Sequence, residues 1–85
     1  MDIDALRAET PGCSEVVHFN NAGTFLPPQP VIDAQISWIN REARTGGYEM
    51  AEDLHEQVAG VYRSVATLIG ADPTEIALME NATAA

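Results

Sequence analysis

The sequence predicts an α/β chain, and three observations predict it. Two stretches, Pro30–Arg44 and Glu49–Ile69, repeat apolar residues at helical spacing. Two short runs, Val16–Phe19 and Ile76–Met79, are apolar or β-prone and are bounded by turn residues. Each run then opens into a loop of small and amide-bearing residues, Asn20–Thr24 after the first and Asn81–Ala85 after the second. The expected order is short helix, strand, loop, helix, long helix, strand and the start of a further helix.

The first helix covers Asp2–Glu9, with Asp2 as its cap and Ile3 and Leu6 on one side. Thr10, Pro11 and Gly12 break it. Val16, Val17, His18 and Phe19 read as a strand, and Asn20-Asn21-Ala22-Gly23-Thr24 as a tight loop of residues that hydrogen-bond their own main chain. Phe25–Pro30 holds three prolines and reads as an extended connector, with Pro30 set to open the next helix. Along that helix Ile32, Ile36, Ile39 and Ala43 recur at helical spacing, Trp38 widens the stripe, and Gly46-Gly47 stops it.

The second helix is predicted as one continuous rod over Glu49–Ile69. Met50, Leu54, Val58, Val61, Val65 and Leu68 form a single seam, and at 1.5 Å per residue the rod is roughly 32 Å long. Glu49, Glu52, Asp53 and Glu56 crowd its first turns, as the helix dipole favours, and Gly70 supplies the stop. Asp72-Pro73-Thr74-Glu75 reads as a turn that Asp72 caps, and Ile76, Ala77, Leu78 and Met79 as the last strand.

Composition narrows the function classes. Eighty-five residues allow one small domain, which buries only roughly 60–65% of its unfolded surface. A hydrophobic fraction of 46% is too high for a disordered chain. The net charge of −9 argues against nucleic acid and anionic membrane surfaces as partners. The basic residues are Arg7, Arg41, Arg44 and Arg63, scattered along the chain, and there is no lysine. Cys13 is the single cysteine, which fits a reducing cytoplasm; it reads as a loop or packing residue, with a reactive thiol as the alternative. No signal peptide is visible, and no apolar run approaches the ~18 residues of a membrane span.

Candidate chemistry lies in the two loops. At a helix start, the N–H groups of Ala82, Thr83 and Ala84 and the Thr83 hydroxyl would seat a phosphate; the same string also reads as an ordinary strand end. Asn20-Asn21-Ala22-Gly23-Thr24 would line a small-ligand pocket with main-chain groups and a hydroxyl, or form a plain turn. His18 and His55 share no ligand spacing, the acidic cluster lacks a calcium-loop pattern, and no metal site is predicted.

Taken together, VVHFNNAGTFLPPQPVIDA (residues 16–34) and GGYEMAEDLHEQVAGVYRSVATLIGADPTEIALMENATAA (residues 46–85) resemble the opening of class V aminotransferases. These are fold-type-I enzymes dependent on pyridoxal 5′-phosphate, among them cysteine desulfurases and isopenicillin-N-epimerase-like proteins. The most specific part is Asp72-Pro73-Thr74-Glu75-Ile76-Ala77 before Asn81-Ala82-Thr83. The resemblance implies that residues 1–15 are an N-terminal arm and residues 16–85 the first part of such a fold, with no complete domain. It implies that Ala82, Thr83 and Ala84 hold the cofactor phosphate and that Asn21, Ala22 and Gly23 border the substrate site. Gly46, Gly47 and Tyr48 match a segment that approaches the active site. Many members carry an acidic or polar residue where Ala84 stands. Desulfurases usually read Asp-Asn-Ala-Ala-Thr where this chain reads Asn-Asn-Ala-Gly-Thr, which favours the aminotransferase or epimerase-like branches.

Chemistry of this type needs a lysine to bind the cofactor covalently and to move the proton at the substrate α-carbon. With no lysine, the expectation is a chain that is not catalytic alone: a truncated product, a fragment, or part of a split enzyme. The resemblance implies an amino acid or related amine as substrate and a homodimer for the full-length enzyme. The rival readings are a free-standing acidic helical module that binds a protein through its apolar seams, and a remnant without function.

Overall fold

A computed structural model describes residues 1–85, and it is all-helical. Helices account for 61% of the residues and no residue lies in a strand, so the predicted α/β class is overturned. The cause is local. A strand is defined by its partner, and a four-residue run without a ladder gains no backbone hydrogen bonds from being extended. Ile76 does adopt extended angles (φ −96°, ψ 126°), but Ile76–Met79 remains unpaired coil. Val16–Phe19 is also coil: the Val16 N–H donates back to the Gly12 carbonyl at 3.1 Å, and no strand runs beside it. The chain divides into two compact units, Met1–Thr45 and Gly46–Ala85.

In the first unit, α1 (Ile3–Ala8) is capped by Asp2, whose carboxylate accepts the Ala5 N–H at 3.0 Å. The Thr10 hydroxyl donates to the Leu6 carbonyl at 2.8 Å, and Pro11 then opens a 3₁₀ turn, Pro11–Ser14. Leu26 lies close over Gly12: a Cβ at this position would lie 2.9 Å from Cδ2 of Leu26, so a larger residue would push that side chain aside. Leu26 therefore packs on bare backbone. The Gln29 N–H donates to the Glu9 carbonyl at 2.6 Å, tying the entry of α2 (Gln29–Thr45) to the exit of α1. Along α2, Gln29 donates to Asp33 and Trp38 donates to Glu42, each pair one turn apart. No residue of α2 is buried, and its predicted stripe residues Ile36 and Ile39 are exposed.

In the second unit the predicted single rod is two helices, α3 (Gly47–Asp53) and α4 (His55–Ile69). Leu54, at φ −110° and ψ 14°, ends one and opens the other. The hydrogen bonds Leu54 N–H to Met50 carbonyl (2.9 Å) and Val58 N–H to Leu54 carbonyl (3.0 Å) keep the helical i to i−4 spacing on both sides. The break coincides with His55, whose Nδ1–H donates to the Glu52 carbonyl at 2.9 Å and so competes for an acceptor that an unbroken helix would use. Apolar periodicity passes through such a joint unchanged. Gly70, left-handed at φ 72°, ends α4, and the Gly70 and Ala71 N–H groups both donate to the Ala66 carbonyl. The following 3₁₀ turn, Pro73–Glu75, packs against α4.

Only Met50 and Ala66 are fully buried. On α4 the residues that lose most surface are Ala59, Gly60, Tyr62, Val65 and Ala66, whereas Val58, Val61 and Leu68 of the predicted seam are exposed. The seam is periodic, as expected, but half of its residues face water.

Candidate functional site

The Asn81–Ala85 turn is built by its first residue. The Asn81 side-chain oxygen accepts the Ala84 N–H at 2.8 Å, and the Asn81 carbonyl accepts the Ala85 N–H at 3.2 Å. This is the bonding of a helix N-cap. It occupies the Ala84 N–H, one of the three backbone donors expected to face a phosphate. The N–H groups of Ala82 and Thr83 and the Thr83 hydroxyl have no partner, and the turn is exposed. Three neutral donors therefore fit a phosphate group, without a cation to neutralise it. Arg63, the sole basic residue of this unit, pairs instead with Glu56 at 3.9 Å. Glu80 directly precedes the turn and brings charge of the unfavourable sign.

Upstream, Asp72 organises the Asp72–Glu75 turn. Its carboxylate accepts the Thr74 N–H at 2.9 Å and the Thr74 hydroxyl at 2.7 Å, and the Glu75 carboxylate accepts the Asp72 N–H at 2.8 Å. The Thr74 backbone N–H, and then its hydroxyl, hold the Asp72 carboxyl below its ordinary value of 3.8, because both stabilise the charged form.

No protein-family model, curated protein or solved structure matches the chain.

The second predicted element, Asn21-Ala22-Gly23, lies in the first unit. Asn20 closes the loop: its carbonyl accepts the Gly23 and Thr24 N–H groups at 3.2 and 3.1 Å, and its side-chain oxygen accepts the Gly23 N–H at 3.3 Å. From outside the turn, His18 Nε2–H donates to the Thr24 carbonyl at 2.7 Å. This bond also fixes the tautomer of a neutral ring, leaving Nδ1 as an acceptor.

Of the three loop residues, Asn21 lines a cleft of about 510 Å³ together with Arg7, Cys13, His18 and Leu26. Ala22 and Gly23 do not. Arg7 and His18 had no assigned place in a site. They lie far apart in sequence, and only the reversal through Thr10–Ser14 brings them to one cleft, so no local spacing announces the pair. The remaining segment singled out in the sequence, Gly46-Gly47-Tyr48, opens α3: Gly46 is at φ 86° and Tyr48 is almost fully exposed. No group of three His, Cys, Asp or Glu side chains is placed to hold a metal ion, and no helix is long and apolar enough to cross a membrane.

Proposed function

We propose that this chain contributes to a pyridoxal 5′-phosphate-dependent enzyme of the class V aminotransferase type, acting on an amino acid or related amine. The observation that carries the reading is the Asn81-capped turn, with the Ala82 N–H, the Thr83 N–H and the Thr83 hydroxyl left without partners beside one another. Thr83 and Ala82 would hold the cofactor phosphate. Ala84 would help through its cap bond to Asn81, which sets the turn. Asn21, Ala22 and Gly23 would border the substrate. When bound, the cofactor supplies the electron sink for chemistry at an amino-acid α-carbon. This chain contributes hydrogen-bond donors and no catalytic acid–base lysine, so it is inactive by itself. In this reading the enzyme is a cytoplasmic homodimer, and the exposed apolar residues of α2 and α4 are faces made for burial against other parts of it.

The test is phosphate recognition at Thr83. In amide NMR spectra, pyridoxal 5′-phosphate should shift the Ala82 and Thr83 signals, and Thr83→Val should weaken the response about fivefold, as expected for one hydrogen bond to a charged group in an exposed turn. Equal responses in both proteins would remove the role assigned to Thr83.

A second reading rests on a specific observation. An all-helical chain that exposes Ile36, Ile39, Val58, Val61 and Leu68 also suits a helical module that binds a protein. In that case neither turn has a ligand, and the cofactor shifts neither Ala82 nor Thr83.

A further inference from the structure

The cleft of the first unit is not accounted for by the phosphate turn, and its chemistry is of another kind. Arg7, Thr10, Cys13, Val16, Val17, His18, Asn21 and Leu26 line an open surface cleft of about 510 Å³, shallow enough that Arg7, Val16, Val17 and Asn21 stay exposed. We propose that this cleft binds a small monocarboxylate with a short apolar tail, held by the Arg7 guanidinium.

Three features of the lining point to that ligand. The Arg7 guanidinium makes no ion pair and no hydrogen bond, in a chain with thirteen acidic residues and four arginines. A planar guanidinium presents paired donors that match the two oxygens of a carboxylate. Second, the polar neighbours are sorted by what they have left to offer. The Thr10 hydroxyl is already donating to the Leu6 carbonyl and the His18 Nε2–H to the Thr24 carbonyl, whereas the Asn21 amide has no partner and can donate to an anion. Third, Val16, Val17 and Leu26 give the cleft an apolar side, which suits a short hydrocarbon tail. One guanidinium and one amide match a single negative charge better than the double charge of a phosphate. The proposal shares Asn21 with the substrate loop of the cofactor reading, but it rests on Arg7 and concerns a carboxylate rather than the phosphate at Thr83.

The experiment uses the whole 85-residue chain, isotopically labelled, titrated with sodium butyrate. Butyrate should give saturable shifts at the Arg7 Nε–H, the Asn21 side-chain amide and the Val16, Val17 and Leu26 methyls. Matched sodium chloride, n-butylamine and inorganic phosphate should not reproduce them. Arg7→Gln should weaken binding about fivefold or more, the modest size expected for one charge pair near solvent, and Asn21→Ala should weaken it less. Arg7→Lys, which keeps the charge and the packing of the stem but loses the fork, should also bind more weakly; it serves if the glutamine variant does not fold. Shifts that sodium chloride reproduces, an undiminished response in Arg7→Gln or Arg7→Lys, or a phosphate response equal to that of butyrate would each overturn the proposal. Loss of the phosphate response at Thr83 with butyrate binding intact would count against the cofactor reading alone.

Discussion

The Asn20–Thr24 and Asn81–Ala85 turns use the same local device and leave different things over. In each, an asparagine accepts a backbone N–H three residues on through its side chain, at 3.3 Å in the first and 2.8 Å in the second. In each, its carbonyl accepts an N–H four residues on, at 3.1 and 3.2 Å. The first turn is then locked from outside, because His18 donates to the Thr24 carbonyl. The second has no such lock. The third residue also differs: Ala22 offers no side-chain donor, whereas Thr83 places a hydroxyl beside two unpartnered N–H groups. Both turns leave the N–H groups of their second and third residues without partners, Asn21 and Ala22 in the first and Ala82 and Thr83 in the second, so the Thr83 hydroxyl and the missing outside bond are what set the second apart.

The largest expected effect comes from removing the asparagine that stands alone. Asn81→Ala should cost about 1 kcal/mol in the stability of its turn, the usual size of a lost cap, read as faster hydrogen exchange at Ala84. Asn20→Ala should matter less while His18 still holds Thr24. Comparable exchange at Gly23 and Ala84 after the two substitutions would show that the outside bond contributes nothing. Next in size is His18→Ala, which should release the Thr24 carbonyl at about 0.5–1 kcal/mol, the range for one exposed hydrogen bond. Its signature is a Thr24 signal that moves while Asn81–Ala85 stays unchanged.

The smallest effect separates a third polar turn from these two. Asp72 accepts bonds from Thr74 as a carboxylate, so its carboxyl titrates below the ordinary 3.8 in the folded chain. A depressed value means that the contribution is full above the unfolded value and is lost as pH falls through the folded one. The Thr74 amide signal should therefore hold steady down to the ordinary carboxylate range and move only below it. Asp72→Asn should flatten that profile, and both asparagine turns should stay insensitive over the same range. Movement of Thr74 well above pH 3.8 would contradict the assignment.

How far the sequence could be read follows from how local each feature is. The caps were legible, since Asp2, Asp72 and Gly70 act within a few residues and sit where their chemistry requires. The helical stretches were legible by period. The strands were not, because Val16–Phe19 and Ile76–Met79 carry apolar character that says nothing about whether a partner lies alongside. The joint at Leu54 was hidden for the opposite reason: the seam from Met50 to Leu68 keeps its period across it, and the His55 to Glu52 bond leaves no mark in an apolar pattern. Periodicity also gave no sign that Val58, Val61 and Leu68 would stay in water. Of the predicted donors at Ala82, Thr83 and Ala84, nothing in the sequence signalled that the Asn81 side chain would occupy the Ala84 N–H, and the grouping of Arg7 with His18 and Asn21 depends on a chain reversal at Gly12.

The central claim is that the Asn81 turn recognises a phosphate and that the Asn20 turn does not. It is tested most directly by titrating the labelled chain with pyridoxal 5′-phosphate and, separately, with pyridoxal lacking the phosphate. The account predicts saturable shifts at the Ala82 and Thr83 amides with the phosphorylated compound alone, and no matching shift at Ala22. Equal shifts with both compounds, or shifts that favour Ala22 and Gly23 over Ala82 and Thr83, would contradict it.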